Sequence, residues 1–214
     1  MKKTFIPLIT LLPVGILAYM YNLISLLLLV AIALSLAVLL VAGVVKAFHS
    51  NLSARWWRVP CMITAVCVAG VIIGLFRPLE PAVVHSGDAS DKLAHAYKTD
   101  QADRMTIKAY LSMLNDSMAK RDSIRLEQVT LLYKESQISK PIDKFHAAFI
   151  FHHSKKSTLF ETAQKLAGEA ASVSELKDNY VVQWLAKATY DRWMVSLGKA
   201  QKYGTQDKFS VSVE

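Results

Sequence analysis

The first 79 residues contain no aspartate and no glutamate. All 17 acidic residues of the 214-residue chain lie at Glu80 or later, whereas Lys2, Lys3, Lys46, Arg55, Arg58 and Arg77 precede it. The net charge of +8 therefore divides into +6 on the first stretch and +2 on the rest. A pI near 9.4 would ordinarily raise nucleic acid as a partner. Here the basic excess flanks apolar segments, where lipid headgroups and the positive-inside rule account for it. With so little excess left on the later residues, no nucleic-acid partner is expected.

Cysteine is also scarce. Cys61 and Cys67 are the only two, and both sit in an apolar segment. Six residues apart, they miss the i, i+3 and i, i+4 spacings of one helix face and read as small apolar residues. The residues beyond them are cysteine-free, so they neither need nor reveal an oxidising compartment. No zinc or thiol-redox spacing occurs, nor a P-loop, a G-x-S-x-G elbow or an H-E-x-x-H pair. No metal and no cofactor are expected. Hairpin signals and alternating β-branched residues are absent too, so the expected class is all-α.

What is present begins with a long apolar run. Residues 5–45 carry no charge. As one straight helix these 41 residues would span about 60 Å, roughly twice a bilayer core. Two crossings joined by a turn fit better, with the turn at Tyr19-Met20-Tyr21-Asn22. The first crossing is short and holds Pro13 and Gly15; the second runs from about Leu23 to Lys46. A third extends from about Trp57 to Phe76, with Trp56 and Trp57 at one interface and Arg77 at the other. A signal peptide would begin similarly, but this run is too long and lacks a small-residue cleavage site. Residues 1–78 are thus read as a transmembrane anchor of three helices. Residues 79–90, with Pro78, Pro81 and Gly87 nearby, read as a linker, and 91–214 as a soluble, bundle-like helical domain.

Helical spacing in that domain places helices at about 90–115, 119–137, 143–153, 157–173 and 176–197, with Gly198 as a C-terminal cap. Polar residues interrupt three apolar stripes. The first stripe is Leu93, Tyr97, Asp100, Arg104, Ile107, Leu111. The third helix has Phe145, Ala148, Phe149, His152, His153. The last has Val181, Trp184, Leu185, Ala188, Asp191, Arg192, Val195. A buried charge costs several kcal/mol unless paired, so these groups are expected to meet in one cluster. Such a cluster is either an ion-pair network holding helices in register or a site, with a histidine as acid or base and arginines for an anion. His152 and His153 diverge by about 100° on a helix and do not suit one metal ion. His49, His85 and His95 read as solvent or interface residues.

Several of these elements together resemble an uncharacterised bacterial helical domain. They are Asp100-Gln101-Ala102-Asp103-Arg104; Ala147-Ala148-Phe149-Ile150-Phe151-His152-His153; Trp184-Leu185-Ala186 leading to Asp191-Arg192; and Gly198 through Gln206. That domain shows D-Q-x-x-R, A-A-x-I-F-Q-H, W-L-A-x-A-x-x-D-R and G-x-x-Q-x-Y/F-G-T-Q. The likeness covers about residues 95–207 and departs at His152, where the domain usually has glutamine. It implies an all-α domain, secreted or membrane-tethered, without implying a reaction. The candidate catalytic residues are accordingly His153, Asp191 and Arg192, and the candidate ligand residues Asp100, Gln101, Arg104, His152, Gln201, Tyr203 and Gln206. The last three are expected to fold back over the cluster, Gly204 permitting the turn.

Two functions fit. One is a membrane-tethered helical domain whose polar pocket binds a small or envelope-derived ligand, with or without hydrolysing it. The other is an oligomeric pore or defence effector whose helical domain assembles or senses. The expected partners are the bilayer, a small ligand or protein, and further copies of the chain. The expected place is a bacterial inner membrane. Three crossings put both basic groups on the cytoplasmic side and the soluble domain outside. A C-terminal reporter that matures only outside the cytoplasm is expected to be active. Activity of a cytoplasm-only reporter instead would overturn the three-crossing topology.

Overall fold

A computed structural model describes residues 5–48, 53–111 and 117–206. All regular structure among the described residues is helical, with no strand. The chain divides into two compact units. One holds the residues up to Leu79 together with Met105–Leu111; the other holds Glu80–Arg104 and the residues from Ser112 on.

The first unit contains α1 (Phe5–Met20), α2 (Asn22–Phe48), α3 (Arg55–Leu75) and the short α5 (Ile107–Leu111). By length and composition α2 and α3 can each cross a membrane; the apolar α1 is shorter. The chain leaves the helix at Tyr21 alone, between α1 and α2. Helix α3 packs on both α1 and α2. Gly70 meets Val14 and Gly74 meets Ala18, an ascending order on both helices, so α1 runs parallel to α3. Pairings of Ser25 with Gly74, Leu28 with Gly70 and Ser35 with Thr64 run oppositely, so α2 is antiparallel to α3. Ser35 and Thr64 hydroxyls share a 2.6 Å hydrogen bond, and Arg77 donates to Asn22 Oδ1 at 3.1 Å.

Close approach explains the glycines. Gly70 and Gly74 form a G-x-x-x-G pair on α3, a spacing that lets apolar helices touch backbone to backbone. A Cβ at Gly74 would collide with Ser25 Oγ and lie 3.2 Å from the Ala18 carbonyl oxygen; one at Gly70 would meet Leu28 and Val14 within 2.9 Å.

The second unit comprises α4 (Ala89–Arg104), α6 (Ser117–Lys134), α7 (Pro141–His152), α8 (Phe160–Ala171) and α9 (Tyr180–Ser196). Helix α7 is its centre and packs on the other four. Phe145 and every residue of 147–152 are buried, because a helix apolar on all sides has no face for water. Leu93, Ala96, Val129, Leu132, Leu166, Val182 and Leu185 surround it. Pro141 starts α7 where its missing N–H is not needed. Asn179 caps α9 by accepting from the Val181 and Val182 amides. Gly198, at φ +70°, ends α9, and the Lys199 N–H returns to the Met194 carbonyl.

One expectation is corrected. The helix read over 90–115 is not continuous: α4 stops at Arg104, and Met105-Thr106 separates it from α5, which belongs to the first unit and packs on α2. Thr106 stands just before Ile107, a position where a hydroxyl residue favours a new helix start. The segment read as a linker is also held down. The carbonyls of Glu80, Pro81, Ala82 and Val84 bond to Arg121, His95, Thr99 and Gln128. His95, read as a solvent or interface residue, is one of those clamps.

Gly74→Val is expected to cost about 1–3 kcal/mol by overpacking. Gly43→Ala, whose new Cβ would meet only the Trp57 ring at 3.6 Å, should not destabilise. Thermal unfolding of both in detergent checks this, and equal melting would refute the close contact.

Candidate functional site

Helix α4 carries Asp100, Asp103 and Arg104 at i, i+3 and i+4, one face of a helix. Helix α6 answers with Arg121, Asp122 and Arg125, and His153 follows directly on the end of α7. Asp100 is only 2% exposed, so its charge must be met inside the protein. Arg104 binds it with two nitrogens, Nη2 at 2.8 Å and Nε at 3.2 Å. Gln101 Nε2 donates at 2.8 Å, and His153 Nδ1 lies 2.8 Å from Oδ2. Burial alone would raise the Asp100 carboxyl, but the bonds and charges of His153 and Arg104 outweigh it and hold the pKa at about 2.

Nδ1 of His153 lies 3.0 Å from Arg104 Nε and 2.8 Å from Asp100, and it cannot be acceptor to one and donor to the other in a single form. In the neutral form with the proton on Nδ1, the ring donates to Asp100 and Nε2 is an acceptor.

A second layer braces the first. Arg125, fully buried, bonds Thr99 through Nε, Asp122 through Nη1 and Asp103 through Nη2. Arg121 also binds Asp103, at 2.6 Å, and Arg104 reaches Asp122 at 3.4 Å. Burial raises the Asp122 carboxyl, with the Asp100 charge adding to it against Arg104 and Arg125. Sequence reasoning missed Asp103, Arg121, Asp122 and Arg125. Arg125 was detectable, since it precedes Val129 and Leu132 at i, i+4 and i+7.

His153 opens onto a cleft of about 250 Å³ whose wall includes Asp100, Asp122, Arg125, Ser154, Lys155 and Lys156. The larger hollows, about 730 and 520 Å³, lie in the first unit and are lined mainly by apolar side chains. Among the described residues no group of three or more His, Cys, Asp or Glu could hold a metal ion.

The remaining candidates fall elsewhere. His152 is buried with no hydrogen-bond partner for Nδ1. Burial, then the charges of His153, Arg192 and Arg104, lower its pKa to about 3, so it is neutral. Arg192 lies over the Phe160 ring at 4.7 Å and donates to the Ser154 carbonyl at 3.4 Å. Asp191 faces the chain's own tail. It accepts from the backbone amides of Lys202, Tyr203 and Thr205 and from the Thr205 hydroxyl. These bonds outweigh burial and lower its carboxyl pKa. Gln201 Oε1 accepts the Gln206 amide, Gln206 Nε2 reaches the Ala188 carbonyl, and Tyr203 packs edge-on to Tyr190. The tail does fold back, but the carboxylate it caps is Asp191. The structure therefore brings Asp100, Gln101, Arg104 and His153 together and gives Asp191 a different set of partners.

No protein family, curated protein or solved structure matches the chain.

The titrations separate on an acid melt. Asp100 is lowered from 3.8 to about 2 in the fold, so its contribution is present above the unfolded value and is lost as pH falls through about 2. His152 is lowered from 6.5 to about 3, so stability declines earlier, as pH falls from about 6.5 toward 3 and the unfolded chain takes up the proton. Asp100→Asn is expected to flatten the lower limb and His152→Gln the upper. Unfolding free energies measured against pH check both; unchanged limbs would contradict the assigned environments.

Proposed function

We propose that the chain is a bacterial inner-membrane protein whose helical domain stands outside the cytoplasm and binds a small, envelope-derived polar ligand at His153. Support for the membrane tether comes from surface chemistry. Leu34, Leu40, Val41 and Phe48 are each more than half exposed on α2, an apolar surface that lipid covers and water does not. The up-down-up order of α1, α2 and α3 suits three crossings, with α1 the shortest at 16 residues, about 24 Å.

The observation that carries the ligand reading is the 2.8 Å contact between His153 Nδ1 and buried Asp100, at the wall of a cleft. A carboxylate that holds Nδ1–H leaves Nε2 basic and oriented, the arrangement of a general base or a directed hydrogen-bond acceptor. In this reading His153 accepts a proton from a bound hydroxyl or water, Asp100 positions the ring, and Arg104 fixes Asp100. Asp191 is a structural residue that anchors the tail.

The test is a thermal-shift screen of the full chain in detergent against small envelope-type carboxylates, phosphates, sugars and peptides. His153→Asn is expected to fold and melt within a few degrees of wild type. It should lose most of the stabilisation that a binding compound confers, about tenfold or more in affinity. The reading fails if no compound stabilises wild type, or if the variant responds equally.

A further inference from the structure

Of the arginines near the cleft, Arg125 lines it and Arg192 touches its wall only through the Ser154 carbonyl, and their partners differ. Arg104 is occupied by Asp100 and Asp122, Arg121 by Asp103, and Arg125 by Asp103 and Asp122. Asp191, next to Arg192 in sequence, is taken up by the tail. Arg192 is thus left with no ion pair among the described residues. Its single hydrogen bond there is the 3.4 Å contact to the Ser154 carbonyl, and its Nε is buried without an acceptor. Around it lie the Phe160 ring and buried His152, whose Nδ1 is also unpartnered. The Arg104 charge repels it. A half-buried guanidinium without a counter-ion is a costly arrangement. A ring face relieves part of that cost, but a planar fork with free N–H groups is suited to an oxyanion.

We propose that Arg192 is the oxyanion-binding residue of this pocket, taking a carboxylate or phosphate group of the ligand at the edge of the cleft marked by Ser154. Ser154 joins the two halves: its carbonyl accepts from Arg192, and the residue lines the cleft beside His153. The ligand thereby gains a chemical class, an anionic head at Arg192 with a polar group reaching toward His153 Nε2. Lys155 and Lys156, on the same cleft wall and exposed, add positive potential that draws an anion in. This assignment rests on the pocket reading above.

The test uses the full chain in detergent with inorganic phosphate or acetate as probe, against chloride at equal ionic strength, read as the rise in melting temperature. Wild type is expected to be stabilised by at least one of the two, and which one distinguishes a phosphate from a carboxylate head. Arg192→Gln is expected to melt no lower than wild type in chloride, because it removes an unpaired cation. It should bind the anion about tenfold or more weakly. Arg192→Lys keeps the charge over Phe160 without the fork; it is expected to fold and to respond between the two, so the series stays readable if the glutamine variant unfolds. The inference falls if wild type responds to neither anion, or if Arg192→Gln responds as wild type does. Such a failure leaves the His153 result standing, and loss of the response in Arg192→Gln stands whether or not His153→Asn changes any compound's effect.

Discussion

A carboxylate at the centre of a helical domain stays charged only if cations come to it. Asp100 sets that condition, and much of the second unit follows. Its two-pronged bond to Arg104 lies within α4, but Arg104 also needs Asp122 on α6, and Asp122 is shared with buried Arg125. Arg125 then requires Asp103, one helical turn from Asp100. Helices α4 and α6 are thereby locked by partners that cannot be removed singly without leaving a buried charge, a change that costs about 3–5 kcal/mol. Replacing the whole set by apolar residues need not be destabilising. The network is better understood as what fixes geometry, and the geometry it fixes is that of the His153 ring.

Much of this was legible in the residues. The uncharged run over 5–45 and the absence of acid before Glu80 mark the first unit, because charge in an apolar environment is costly wherever it falls. On α7 one apolar stripe through Phe145, Ala148 and Phe149 was legible; that Ala147, Ile150 and Phe151 are buried too was not read from spacing. Asp100 and Arg104 were visible as a pair out of place on an apolar stripe. The Asp103–Arg125 layer was not, because its partners lie on different helices and spacing along one helix cannot reveal a partner on another. Asp191 had the same signature as Asp100, a carboxylate on an apolar stripe, and met a different fate. Its charge is met by backbone amides of the tail, groups that every sequence carries and no side-chain pattern reports.

The break after Arg104 shows how a local rule was outweighed. The apolar spacing of Ile107 and Leu111 continues that of Leu93 and Tyr97, so one long helix was the natural expectation. The chain instead turns at Met105-Thr106, and Ile107–Leu111 packs on α2. Hydrophobic periodicity says that a residue will be buried, not against which element. In the first unit the governing factor is different again. Its helices are apolar on most faces, so apolar area alone does not select a partner face, and small residues and shared hydroxyls mark the close contacts. Gly70, Gly74, Ser25 and the Ser35–Thr64 bond carry that role.

Two of the buried carboxylates, Asp100 and Asp191, separate the domain's tasks. Asp191 is satisfied by the tail and gives nothing to its neighbour Arg192; Asp100 is satisfied by side chains and orients His153. Had Asp191 turned toward Arg192, the pair would be a closed ion pair with no demand for a ligand. Because four donor groups of the tail claim Asp191, the guanidinium beside it has no ion pair among the described residues. The clasp of the tail and the open cation at the cleft edge are thus one arrangement. A tail that only covered the fold would not need a charged anchor; this one is held by a carboxylate that stands next to Arg192 in sequence and gives it no ion pair.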